Sequence, residues 1–117
     1  MLIGAHTILF SADAEADRNF FRDVLKFPSV DSGGGWLIFK LPPGELAFHP
    51  TDGPPTYELY LMCDDVHAEV EALKAAGVEI TKNISNEPWG LLTALKTPSG
   101  SEVGLYQPTH PMAIDLP

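Results

Sequence analysis

Apolar residues change their spacing in a regular order along the chain. Residues 2–10, LIGAHTILF, are an apolar stretch holding His6 and Thr7, which reads as a strand. Asp13 then offers a capping side chain before ADRNFFRDVL, where Phe20, Phe21, Val24 and Leu25 fall on one helical stripe. After Pro28 a short strand is predicted around 29–31, SVDSGGG is glycine-rich enough to turn, WLIFKL reads as a strand, PPG turns again, and ELAFH is a further strand. DGPP at 52–55 carries the turn residues of a linker. Beyond it YELYLMC reads as a strand, Asp64 and Asp65 supply a cap, and Val66, Val70 and Leu73 at i, i+4, i+7 mark a helix that Gly77 closes. VEITK, LLTALKT and EVGLYQ follow as three strands.

Each half therefore reads β-α-β-β-β, and the spacing supports an internal repeat. His6 lies seven positions before Asp13 and Glu58 seven before Asp65, so His6 matches Glu58 at an offset of 52. At the other end GELAFHP aligns with SEVGLYQP, pairing Glu45 with Glu102, Ala47 with Gly104 and His49 with Tyr106. The predicted architecture is α+β, with module 1 over 2–50, a Pro/Gly linker at 51–55, module 2 over 56–108 and a tail at 109–117, all in a single domain.

Successive side chains of a strand point to opposite faces. Leu46 with Phe48, Leu59 with Leu61 and Cys63, and Val103 with Leu105 are apolar sets expected beneath the helices. The other faces carry His6, Ile8 and Phe10; Glu45, Ala47 and His49; Glu58, Tyr60 and Met62; and Glu102, Gly104 and Tyr106. If the sheets curl toward each other, these residues line a concave cavity with aromatic walls and a few polar groups, as a small-molecule site requires. The plainer alternative is a polar face that meets water.

Composition narrows the partners. Seven basic against sixteen acidic side chains give a formal charge of −9 over 117 residues, which repels phosphate backbones and anionic membranes and favours cations. Nucleic-acid binding is not expected, and the same acidity also serves solubility. No stretch approaches a membrane span and no leader is recognisable at the N-terminus. A lone Cys63 excludes an internal disulfide, so a cytoplasmic setting is expected.

The His within GAHTILFSAD, the helix ADRNFFRDVLKF, and EPWG followed by TPSG together resemble the vicinal oxygen chelate superfamily of glyoxalase I, extradiol dioxygenases and bleomycin-resistance proteins, over residues 4 to 108. Enzymes of that family hold a divalent metal with His and Glu side chains from the first and last strands of the modules. The resemblance puts His6 and Glu58 at ligand positions, but the last-strand ligand position is Gly104 here and Ala47 in the first module. Glu102 and Glu45 stand two residues back, about 6.6 Å along a strand, too far to replace the missing ligand at coordination distances.

Two functions follow from the resemblance. The first is metal-independent sequestration of an aromatic or cationic compound, as in the bleomycin-resistance branch, with no cofactor. Its candidate binding residues are His6, Glu45, His49, Glu58, Tyr60, Trp89, Glu102 and Tyr106, and antibiotic resistance is the associated role. The alternative is a lyase, isomerase or dioxygenase using Ni, Zn, Mn or Fe, with His6, Glu58 and Glu102 as ligands or with Glu102 as general base. A homodimer is the family's usual form, and a groove between two subunits its usual drug site.

Other residues are expected to be structural. His67 is off the helix stripe, His110 is expected to be exposed, and Cys63 is expected to be a small buried hydrophobe. Trp36 can sit on its glycine loop or plug the core, and Trp89 can anchor a turn. The GGG run lacks the lysine and helix of a phosphate cradle. The proline-rich tail is expected to form no regular element and to lie over a neighbouring subunit.

Overall fold

A computed structural model describes residues 6–54 and 56–117; residues 2–5 of the first predicted strand and Pro55 of the linker lie outside the described residues. The architecture is mixed α+β, with two α-helices, one sheet of two strands and one of four among the described residues.

The second half builds the larger sheet. Its strands are β3 (Tyr60–Met62), β4 (Ser85–Glu87), β5 (Gly90–Lys96) and β6 (Glu102–Pro108), in spatial order β3-β6-β5-β4. β3 runs parallel to β6 and the other pairs are antiparallel. The parallel pair needs a crossover, which α2 (Val66–Ala75) provides. Asp65 caps α2 by accepting from the Ala68 amide at 3.1 Å, and Gln107 of β6 accepts from the Val66 amide at 3.1 Å, so the helix start is tied to the sheet it covers. The helix ends at Gly77, whose φ of +84° lets the amides of Gly77 and Val78 reach back to the carbonyls of Lys74 and Leu73.

Val66, Val70 and Leu73 bury their stripe against Leu95, Val103 and Leu105. Phe20 joins the same core from α1 (Ala14–Asp23). Each fully buried side chain of this size stabilises the fold by roughly 1.5–3 kcal/mol. The predicted second-half apolar faces are thus buried: Val103 is 0% and Leu105 3% exposed, with Leu59, Leu61 and Cys63 packed around them.

The first half contributes less sheet. Asp13 caps α1 through the Ala16 amide at 3.1 Å. Phe21 packs edge-on to Phe27 and against Phe39 of a hairpin formed by β1 (Ser29–Asp31) and β2 (Leu37–Phe39). The three glycines make this turn: all have positive φ, and the Asp31 carboxylate accepts from the Gly33 and Gly35 amides. Trp36 lies exposed beyond them, its ring under the Arg18 guanidinium at 4.4 Å.

Asp17 fastens this half to the other. Its carboxylate accepts from the Ser99 amide at 3.1 Å, from the Ser99 hydroxyl at 2.7 Å and from Ser11 at 2.8 Å. Burial alone would raise its pKa, but these bonds, chiefly from Ser99, hold it below the ordinary carboxylate value. TPSG is thus the turn between β5 and β6, with Gly100 at φ +94° and Ser99 presented to the opposite half.

Three predicted strands differ. Residues 6–10 and 45–49 join no ladder, and Leu46 and Phe48 are 82% and 88% exposed instead of lying under a helix. Phe20 of α1 joins the core of the second half, and no helix covers Leu46 or Phe48 among the described residues. VEITK makes a single bridge, Ile80 to Leu95, and the Lys82 carbonyl accepts from the Thr93 hydroxyl at 2.7 Å. The edge strand against β5 is instead Ser85–Glu87, which was not predicted.

Candidate functional site

The face of the four-stranded sheet turned away from the core is built by alternation along β6. Val103 and Leu105 point into the core, so Gly104 and Tyr106 point out. Register sets Tyr60 opposite Gly104 and Met62 opposite Tyr106, so the two tyrosines sit diagonally on one face. Their rings meet edge to face, with centroids 5.8 Å apart at 89°.

Two glycines seat these rings. A Cβ on Gly104 would lie 2.8 Å from Tyr60 Cγ and closer still to Cδ1 and Cε1, so the Tyr60 ring rests directly over the missing side chain. A Cβ on Gly90 would lie 2.6 Å from the Gln107 carbonyl oxygen and 3.0 Å from Tyr106 Cδ2. Gly104 is therefore more than a position without a ligand atom, because the ring of its cross-strand neighbour fills the space.

Burial pushes both phenols above their ordinary pKa, with Glu58 adding to the effect at Tyr60 and Glu45 at Tyr106. Both are protonated near neutral pH and present a hydroxyl beside a carboxylate. The Tyr106 hydroxyl lies 3.1 Å from His110 Nε2, and the two rings stack at 29° with centroids 6.0 Å apart. Glu45 Oε1 is 3.8 Å from the same nitrogen, and Glu45 Oε2 accepts from the Ala113 and Ile114 amides. The tail thus folds onto Glu45 of its own chain and forms a 3-10 turn at Ala113–Asp115, where no regular element was predicted. His110 is partly buried, where exposure was expected.

The remaining candidates are dispersed. Glu102 is exposed and occupied by Lys82 at 3.1 Å and Thr81 at 3.0 Å, which hold its pKa low. Glu58 is exposed beside Tyr60. His6 and His49 are exposed and outside any ladder. Trp89 lies 43% exposed in the β4–β5 turn, its carbonyl accepting from the Thr109 amide at 2.9 Å. Cys63 packs on the core, and burial, ahead of Glu69 and Asp64, pushes its thiol up to about 11, as suits an inert residue. His67 is exposed, as expected.

As a metal set, His6, Glu58 and Glu102 do not converge: among the described residues no three His, Cys, Asp or Glu side chains are grouped to hold an ion. The last-strand position is roofed by Tyr60, and Glu102 is turned to Lys82. Two surface depressions of about 280 and 240 Å³ lie along α1 and α2, and neither is lined by Tyr60, Tyr106, Glu45, Glu58 or Glu102.

Comparison with known proteins agrees with this fold. TnmS3, an antibiotic binding protein from Streptomyces sp. CB03234, is 28% identical, with a TM-score of 0.64 over 93% of this chain and 100% of its own. A lactoylglutathione lyase from Agrobacterium tumefaciens has the same TM-score over 90% of this chain and 92% of its own, at 18% identity, and so shares the fold alone. A member of the superfamily from Sphaerobacter thermophilus DSM 20745 is 22% identical, with a TM-score of 0.61 over 91% of this chain and 98% of its own. A search of curated protein sequences finds no match. The family model described as Glyoxalase/Bleomycin resistance protein/Dioxygenase superfamily matches residues 4–105, and the chain belongs to that superfamily.

Proposed function

We propose that the chain binds a planar, cationic aromatic small molecule against Tyr60 and Tyr106, without a metal. The observation that carries this reading is the seat of Tyr60 over Gly104, which puts an aromatic ring where the resemblance calls for a coordinating carboxylate. Ring faces and edges offer stacking and cation attraction, worth roughly 0.5–2 kcal/mol each depending on desolvation. Glu58 beside Tyr60, Glu45 beside Tyr106 and the net charge of −9 favour a cation. The likeness to an antibiotic binding protein at 28% identity supports a sequestering role.

A second copy of the chain is part of this reading. Ile8, Phe10, Leu46, Phe48 and Tyr57 are exposed, forming apolar surface that a homodimer would cover. The Cα radius of gyration, 15.1 Å, also exceeds the about 13 Å usual for a compact chain of this length. Ethidium, a planar aromatic cation, serves as the test ligand, with the anionic aromatic 1-anilinonaphthalene-8-sulfonate as its charge-reversed control. Saturable ethidium fluorescence is expected, unchanged by EDTA and weakened at least tenfold by Tyr60→Ala or Tyr106→Ala. Binding that requires an added divalent ion, or that ignores both tyrosines, contradicts the proposal.

A further inference from the structure

We propose that residues 109–116 form a strap across the tyrosine face, latched by Glu45, which delivers His110 as a third wall of the ligand site. This rests on the reading of that face as the binding site.

Both ends of the strap are fixed. At its root the Thr109 amide donates to the Trp89 carbonyl at 2.9 Å, and the Thr109 hydroxyl donates to the Pro88 carbonyl at 3.4 Å, holding it to the β4–β5 turn of the second half. At its far end the amides of Ala113 and Ile114 donate to the Glu45 carboxylate of the first half. Pro111 restricts the backbone between these anchors and lowers the entropy lost on closure.

Burial identifies Glu45 as the latch. Its side chain is only 15% exposed, although Leu46, next to it, stands in solvent. An acidic side chain is sheltered while an apolar neighbour is bare, which is the reverse of ordinary partition. The strap accounts for it, since charge-assisted bonds to two amides replace the water that Glu45 gives up.

The closed strap also orients the His110 ring. Its Nδ1 lies 2.7 Å from the Pro111 carbonyl, which can only accept, so Nδ1 carries the proton. Nε2 lies within hydrogen-bond distance of the Tyr106 hydroxyl, and the imidazole lies stacked on the ring that a ligand would use. Glu45 is a positioning residue, acting on the site through the strap, whereas His110 touches the site itself.

The test uses the full chain, Glu45→Ala, Glu45→Gln and His110→Ala, with two readouts. The first is amide hydrogen exchange at Ala113 and Ile114, together with the 15N spectrum of His110, in the free protein. Wild type should show protected amides and an Nδ1-protonated ring. Glu45→Ala should speed exchange roughly tenfold or more, and Glu45→Gln, which keeps an acceptor without its charge, should fall between. The second readout is ethidium binding by stopped flow. Glu45→Ala should accelerate association several-fold by freeing the face, and His110→Ala should accelerate dissociation by removing a wall. Wild-type amides that exchange as in an unstructured peptide, or exchange unaffected by Glu45→Ala, overturn the strap. Protected amides with unchanged ethidium rates in both variants overturn its place at the site. If ethidium binds none of these proteins, the ligand reading fails while exchange still decides the latch.

Discussion

The two halves of this chain carry the same alternation of strand and helix signals, yet only the second completes its ladder. Aligned through Glu45 and Glu102, Leu46 matches Val103 and Phe48 matches Leu105. The second-half pair is buried and the first-half pair is exposed. The difference lies in what covers them. α2 lies on β6 and also receives Phe20 from α1, so one core draws on both helices and the first half keeps a hairpin packed on Phe21. A strand pattern records a capacity to be buried, and a neighbouring surface is needed to realise it.

Substitution at matched positions tests that difference most severely. Leu105→Ala should lower unfolding stability by about 3 kcal/mol through lost burial and a residual cavity, whereas Phe48→Ala should change it by less than about 0.5 kcal/mol in dilute protein. Urea denaturation measures both. A Phe48 effect that appears only at high concentration, with a matching shift in sedimentation, would assign that surface to a second copy.

The tyrosine seat is the next target. Gly104→Ala should cost about 1–3 kcal/mol, because the new methyl group meets the Tyr60 ring. The cost should shrink when Tyr60→Ala is added, an interaction that a double-mutant cycle reads directly. Additive effects would mean that the ring is not held there.

The clamp between the halves should respond to pH. The Asp17 carboxyl titrates below its ordinary value in the folded chain. Its stabilisation is therefore complete above the unfolded carboxyl pKa and is lost as pH falls through the lowered folded value. Asp17→Asn should cost about 1–2 kcal/mol near neutrality, reduced from a buried charged pair by its partial exposure. The two proteins should converge in stability as the medium becomes acidic enough to protonate Asp17. Smallest of all, Glu102→Gln should leave the thermal midpoint unchanged, because its bridge to Lys82 is exposed.

Local chemistry was legible in the sequence. Asp13 and Asp65 cap the predicted helices, Gly77 ends the second, and parity along 102–106 separates the core from the open face. Non-local choices were hidden. Nothing near Phe20 says which half will receive it, and nothing in PTHPM says that His110 will meet Tyr106 once Glu45, 68 positions before Ala113, holds the tail. The absence of a ligand atom at Gly104 was readable, but its occupation by Tyr60 depends on cross-strand register. TPSG is legible as a signature, but its partner Asp17 lies 82 positions away from Ser99.

The central claim is that the tyrosine face binds its ligand without a metal. Elemental analysis of protein purified without chelator, followed by titration with Ni, Zn, Mn and Fe(II) in the presence of ethidium, tests it most directly. Far less than one ion per chain is expected, with an ethidium affinity that none of the four metals changes. One tightly held ion per chain, lost on Glu102→Gln or Glu58→Gln and needed for binding or turnover, would contradict it.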